Sequence, residues 1–195
     1  MVAAVNESAK NVRATIIVKA SYPVGTARVS PAVNTLMAAT PEAIILLSGG
    51  AAAAAFIERY RIAGGLAQLF VNSGTDIEQL SQRLSEEQMK GVAIVQVTPN
   101  PYKISGHLTK EFIDTAAKSK NLEVPVSYAM MEGFITANVI VEAVGRQSAR
   151  PTRQRMVDTL DAMDSFDLGG YKPGLQTGSK FVKPSIISGS GKIRQ

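Results

Sequence analysis

Residues 41–75, PEAIILLSGGAAAAAFIERYRIAGGLAQLFVNSGT, constrain the fold more than any other part of the chain. Ala43 to Leu47 is an all-apolar run, too short and too uniform for an amphipathic helix, and it reads as a central parallel strand. Ser48-Gly49-Gly50 turns the chain. Phe56, Ile57 and Tyr60 then recur at the spacing of a helix face. Gly64-Gly65 stops that helix, and Leu69-Phe70-Val71 reads as a second buried strand, ending in the polar turn Asn72-Ser73-Gly74-Thr75. This is one β-α-β unit. Open parallel sheets bind ligands beyond the carboxyl ends of their strands, so the turns at Ser48 and Asn72 are the first places to look for function.

The rest of the first half extends the pattern. A helical start at Val2 to Ala9 leads to a predicted strand, Thr15 to Lys19, and the turn Tyr22-Pro23-Val24-Gly25. Ser30-Pro31 reads as the N-cap and first-turn proline of a helix with Val33, Leu36 and Met37 inward. A short helix over Asp76 to Leu84 precedes another apolar strand, Gly91 to Val97. Thr98-Pro99-Asn100-Pro101-Tyr102 then breaks the alternation. Three helices follow without a strand between them, near His107 to Lys118, Val126 to Gly145 and Thr152 to Met163. The second is apolar enough to suggest burial on more than one side. The tail holds turn signals at Gly169-Gly170 and Lys172-Pro173-Gly174, a strand-like stretch from Phe181 to Ile187, and a Gly-Ser-Gly turn.

Composition narrows the function classes. With 195 residues and 45% hydrophobic content, the chain is large enough to bury roughly 70% of its unfolded surface. It has no cysteine, which excludes disulfides, thiolate catalysis and thiolate metal sites. No apolar run is long enough to span a membrane, and residues 1–20 lack the order of a signal peptide. The net charge of +5 is spread from Lys10 to Arg194, and its densest cluster, Arg146 to Arg155, is broken by Pro151. That is the footprint of a basic surface and not of a nucleic-acid site.

The ordered segments TPEAIILLSGGAAAAAFIERYRIAGG, GVAIVQVTPNP, VPVSYAMMEGFITANVIVEAVGR, PTRQRMVDTLDAM and FDLGGY resemble the type I periplasmic solute-binding proteins, in the branched-chain amino-acid family of ABC transporters. The resemblance runs over essentially the whole chain. It implies an α/β fold: a mostly parallel, three-layer sheet of the C-terminal lobe, followed by helices of an incomplete N-terminal lobe. In those terms residues 1–97 are the C-lobe layer and 98–167 are N-lobe helices after a crossing at Thr98 to Tyr102. Residues 168–195 are a return crossing at Leu168 to Tyr171 and a C-lobe strand tail. The chain is then a C-terminal fragment, since members of the family are roughly twice this length, two lobes of ordinary domain size. The implied role is a periplasmic binding module that holds an amino acid or related small carboxylate in an interlobe cleft and presents it to an ABC permease. The N-lobe helices are expected to leave apolar surface for self-association. No cofactor and no nucleic-acid partner are implied.

Candidate ligand-binding residues are Gly49, Gly50, Ala51, Asn72, Ser73, Thr75 and Tyr128. Gly49, Gly50 and Ala51 present backbone N–H groups at a helix start, suited to an anion or carbonyl, or else form a turn that needs glycine for its backbone angles. Members of the family often carry an aromatic residue there, so the resemblance implies a wider pocket in this chain. Asn72, Ser73 and Thr75 offer amide and hydroxyl groups, or cap the helix from Asp76. The resemblance implies an acid near Ser73 to meet a ligand ammonium, and the nearest one is Asp76. Tyr128 is set to stack on a ligand or to pack half-buried. His107 has no companion for a metal site, and Glu132 reads as a surface or interlobe residue. Ser73 has no identifiable base, and Asp158, Asp161 and Asp164 sit at a helix end, so no catalytic set is present. Gly49-Gly50 does not make a dinucleotide fingerprint. The competing classes are a ligand-sensing regulator or receptor domain of the same fold and a flavodoxin-like enzyme.

Overall fold

A computed structural model of the chain describes residues 1–119, 122, 124–147, 150–163, 166–174, 180–187 and 193–194. They form two compact units: Met1–Val95 with Pro184–Gln195, and Gln96–Lys183. The chain leaves the first unit after Val95 and re-enters it at Pro184, so the second unit is inserted into the first.

The first unit is built on a five-stranded sheet of order β1-β2-β3-β4-β5, with β1 at Ala43–Leu46, β2 at Gln68–Asn72, β3 at Ala93–Gln96, β4 at Lys183–Ile187 and β5 at Ile193–Arg194. β1 and β2 are parallel, with Ile44 opposite Leu69 and Leu46 opposite Val71. β2 and β3 are also parallel, with Val71 opposite Ile94. β4 and β5 pair antiparallel. The Ile187 N–H donates to the Val92 carbonyl (3.1 Å), and the Gly91 N–H donates to the Ile187 carbonyl (3.0 Å). The end of β4 therefore meets the start of β3, as in antiparallel neighbours.

Helix α1 spans Val2–Asn11 and buries none of its residues; α2 spans Ser30–Ala39. Helix α3, Gly50–Ile62, carries the unit's core: Ala53, Ala54, Ala55, Phe56, Ile57 and Tyr60 are all buried. The run of alanines favours helix and lets the helix approach its neighbours closely. Phe56 and Tyr60, one turn apart, stack with ring centroids 5.7 Å apart. Gly64 has φ +84°, and a Cβ on Gly65 would fall 2.4 Å from the Tyr60 ring. Both glycines are therefore required to end α3. Helix α4 is Ile77–Arg83 and α5 is Glu86–Met89. The Ser85 hydroxyl accepts the Gln88 N–H (3.3 Å) and the Gln88 side chain accepts the Ser85 N–H (2.9 Å), a reciprocal cap.

Helices α6 (His107–Lys118), α7 (Tyr128–Gly145) and α8 (Arg153–Ala162) follow one another in the second unit. Leu108, Phe112, Met131, Ile135 and Tyr171 form its core, and Phe134 packs edge-to-face on Phe112 at 5.5 Å. The Tyr171 hydroxyl donates to the Val97 carbonyl (3.1 Å), tying the later chain to the segment that enters the unit.

Several expectations are corrected. Residues 15–19 form no strand: Ile16 and Ile17 are 39% and 60% exposed, and the ladder ends at β1. β1 is consequently an edge strand, not a central one, and its odd face is open, with Ile45 56% exposed. Ser30 is the first helical residue and not the cap; Val29 takes that place, and the Ser30 hydroxyl instead accepts from Arg59 (2.9 Å). Helix α7 is buried on a single stripe, Tyr128, Met131, Ile135, Val139 and Ala143. Apart from these corrections, Leu168 to Tyr171 form a turn within the second unit, closed by the Leu168 N–H on the Tyr171 carbonyl (2.8 Å). Asp164 and the Gly-Ser-Gly turn lie outside the described residues.

Candidate functional site

The carboxyl ends of β1 and β2 are tied into one surface by four side chains. The Tyr22 and Ser48 hydroxyls share a 2.6 Å hydrogen bond. Thr75, fully buried, donates to the Ser48 carbonyl (3.0 Å) and lies 3.3 Å from the Asn72 amide oxygen. Ser48 itself is buried. It is clamped from one side by the loop before α2 and from the other by the single 3-10 turn Ser73–Thr75 that follows β2. Of the predicted residues, this brings together Asn72 and Thr75, with Ser73 beside them and Gly49, Gly50 and Ala51 next along the chain. Tyr22 is the part that sequence reading did not assign to the site; the Tyr-Pro-x-Gly turn and the Ser48 turn were each visible, the bond that joins them across 26 residues was not.

Gly49, the N-cap of α3, and Gly50 are not required by their backbone angles. Gly49 has φ −98° and ψ 159°, ordinary extended values, and a Cβ added to it would meet nothing within 4 Å. At Gly50 the added Cβ would only touch the Gln79 side chain, at 3.4 Å. Neither sits in the left-handed region that demands glycine. The start of α3 has no side-chain cap, so its first N–H groups beside exposed Gly49 and Ala51 have no intrahelical or capping partner.

The nearest acid uses both carboxylate oxygens in a helix cap. Asp76, at φ +55°, caps α4: its Oδ1 accepts the Gln79 N–H (3.1 Å) and its Oδ2 accepts the Gln79 amide (2.9 Å). Thus Asp76 does the capping, and the half-buried Ser73 hydroxyl makes no hydrogen bond to the described residues. Tyr22, Ser48, Asn72, Ser73 and Thr75 themselves are neutral donors and acceptors.

Tyr128 belongs to the second unit and opens α7 just after its cap, Ser127, whose hydroxyl accepts the Met130 N–H (3.1 Å). It is 4% exposed and its ring meets Tyr102 edge-on at 6.1 Å; Tyr102, 49% exposed, is the accessible ring of that pair. His107 is exposed and 4.0 Å from Glu111. Among the described residues no group of His, Cys, Asp and Glu side chains is placed to hold a metal ion, and no helix is long and apolar enough to cross a membrane. A groove of about 400 Å³ runs along the end of α7 and α8, far in sequence from the predicted site. Its charges are largely engaged: Arg146 with Glu142 (2.8 Å), Arg155 with the Arg150 carbonyl (3.2 Å) and Asp158 with Gln154 (2.8 Å).

Strand-end turns on a parallel sheet, with a helical unit inserted between β3 and β4, define an α/β binding module. A model of the periplasmic binding protein family matches residues 1–181, and the chain belongs to that family. It resembles a substrate-binding periplasmic protein from Ralstonia solanacearum, with 32% identity and a TM-score of 0.88, over 98% of this chain and 56% of that one. An ABC-transporter substrate-binding protein from Aeropyrum pernix has a TM-score of 0.82 at 16% identity, over 99% of this chain and 54% of that one. The branched-chain amino-acid transporter substrate-binding protein LivJ of Streptococcus pneumoniae, solved with isoleucine, has a TM-score of 0.72 at 16% identity, over 96% and 54%. No curated protein matches the chain. The chain thus spans about half the length of the solved structures it matches, and its type I binding-protein fold is the one the sequence resembles.

Proposed function

We propose that this chain is part of an extracytoplasmic solute-binding component of an ABC importer, a binding module and not a catalyst. Its ligand is an amino acid or similar small carboxylate, and its partner is the importer's permease. The first unit contributes the carboxyl ends of β1 and β2: Gly49, Gly50 and Ala51 receive a carbonyl or carboxylate oxygen on free N–H groups, and Asn72, Ser73 and Thr75 supply polar contacts. Tyr128 is assigned to packing, because it is buried against Tyr102.

The observation that carries this reading is Gly49. Gly49 is the N-cap of α3, it supplies no side-chain cap, and a Cβ there would meet nothing within 4 Å, so the first N–H groups of α3 stand open to a ligand oxygen. The experiment is Gly49→Phe in the 195-residue chain, with binding of amino acids followed by calorimetry and folding by thermal melts. Loss of binding with an unchanged melt is expected; retained binding would remove the turn from the site.

Ser73→Glu tests the ammonium end. A partly desolvated charge pair there would strengthen binding of an amino acid over its des-amino analogue by about 1.5–3 kcal/mol, roughly tenfold to a hundredfold. Equal affinity ratios in both proteins would exclude Ser73.

A further inference from the structure

We infer that the outer face of α7 is an interface between two copies of this chain, which pair with their α7 helices antiparallel. The contact uses only residues of the second unit and does not depend on the ligand site.

A helix turns about 100° per residue, so the buried stripe Tyr128, Met131, Ile135, Val139 and Ala143 has an opposite side of its own. Gly133, Ala137, Ile140, Val141 and Val144 lie there, and all of them are exposed. None carries a polar side chain. The solvent side of a helix is normally polar, and α6 shows this in the same unit, with Lys110, Glu111 and Lys118 exposed. The charges nearest to the α7 face, Glu132 and Glu142, flank the buried stripe instead, and Glu142 holds Arg146 at 2.8 Å. Contiguous exposed apolar surface of this kind marks an interaction site.

Side-chain size changes along this face in a way that selects the partner. Its first half is small, Gly133 and Ala137, and a Cβ added to Gly133 would meet nothing within 4 Å. Its second half is bulky, with Ile140, Val141 and Val144. Turned end for end about a two-fold axis near Asn138, a second copy sets its Val144 over Gly133 and its Ile140 over Ala137, and receives the same in return. That is the reciprocity an isologous pair requires. A parallel pair would crowd valine on valine at one end and leave a gap between glycines at the other. Antiparallel helices also oppose their dipoles favourably, and an uncharged face brings no like charges together. Contact over about three turns is smaller than a stable interface needs, so the dimer is weak and fills only at high concentration.

The chain has no cysteine, so Gly133→Cys and Val144→Cys made in it report this contact alone. Equal amounts of the two variants are mixed and oxidised. The mixed disulfide should form about tenfold faster than either like-with-like disulfide, because the antiparallel pair leaves like residues about 16 Å apart, beyond disulfide reach. Light scattering of the parent from about 10 µM to 1 mM should show a mass rising from 20.7 kDa toward twice that value. Ala137→Glu, an exposed change to a good helix former, should keep the melting temperature and raise the concentration needed for dimerisation by about tenfold or more. Like-with-like disulfides forming as fast as the mixed one would overturn the antiparallel contact. So would a parent mass that stays at the monomer, a mass that climbs past the dimer, or an Ala137→Glu chain that associates as the parent does.

Discussion

Strands β1 and β2 alternate exposed and buried residues, while α7 buries a residue every third or fourth position. The two units thus hide apolar surface with different periods, 2 in the sheet and 3.6 in the helix. Their unburied sides are nonetheless alike. Ile45 and Phe70 remain 56% and 37% exposed on the sheet, and Ile140, Val141 and Val144 remain 48%, 71% and 38% exposed on the helix. Apolar sequence at these places reads as two-sided burial, and the structure shows one side covered in each case. What decides burial is whether a neighbour is present, and that information is not in the segment itself.

The comparison breaks most visibly if the units do not unfold independently. Leu69→Ala, at a fully buried position of β2, should destabilise the first unit by about 2–5 kcal/mol, and Phe112→Ala should destabilise the second by about 3–5 kcal/mol. Calorimetry should show each change lowering a different transition. One shared transition, shifted by both, would mean that the two units are a single cooperative body.

A pair of glycines sharpens the difference between packing and site within the first unit. Gly65→Ala drives a Cβ into the buried Tyr60 ring and should cost about 1–3 kcal/mol. Gly49→Ala meets no neighbour, but Gly49 is the N-cap of α3, where alanine is disfavoured, so the change should destabilise by no more than about 1 kcal/mol. Urea midpoints at constant m-value would read both.

Exposed apolar positions should matter less to stability. Ile45→Thr and Val141→Thr are each expected within about 0.5 kcal/mol of the parent. If the proposed self-association uses the helix face, light scattering should show a mass that rises with concentration and that Val141→Thr lowers while Ile45→Thr does not; a mass independent of concentration in the parent would remove the proposal. The smallest effect belongs to the exposed Lys110–Asp114 pair (2.6 Å), where the hydrogen bond from Lys110 lowers the Asp114 pKa and raises that of Lys110. A depressed carboxyl stabilises above its unfolded value and stops doing so in acid. A raised ammonium stabilises below its unfolded value and stops doing so in strong base. Lys110→Ala should therefore leave the melting temperature almost unchanged at neutral pH and flatten what little pH dependence the pair contributes.

Much of the architecture was legible. The bounds of α6 follow from periodicity, and β1, α3 and β2 follow from an apolar run, a helical face and a second run broken by glycine pairs. The strand predicted at 15–19 failed for the reason that also exposes Ile45: a β-run becomes a strand only beside an edge, and pairing is long-range. The candidate site was legible as turns and not as a network. Asn72 and Thr75 could be named from the strand end, but the Tyr22–Ser48 bond joins residues 26 apart, and no local pattern encodes it. Gly49 was readable as a demand of the turn. Only its dihedral angles show that the demand is absent.

The ladder between β3 and β4 has a consequence for the chain as a polymer. Those strands are neighbours in the sheet, yet the whole second unit lies between them along the chain. In loop-closure terms the pairing is a contact whose connecting loop is itself folded. Closure entropy grows only logarithmically with length, about 0.6 kcal/mol for each doubling. A sheet can therefore carry an inserted unit at little thermodynamic expense, while the search for that strand pairing becomes long-range and slow. The first unit should complete its sheet last at β4, after the inserted helices have brought the chain back.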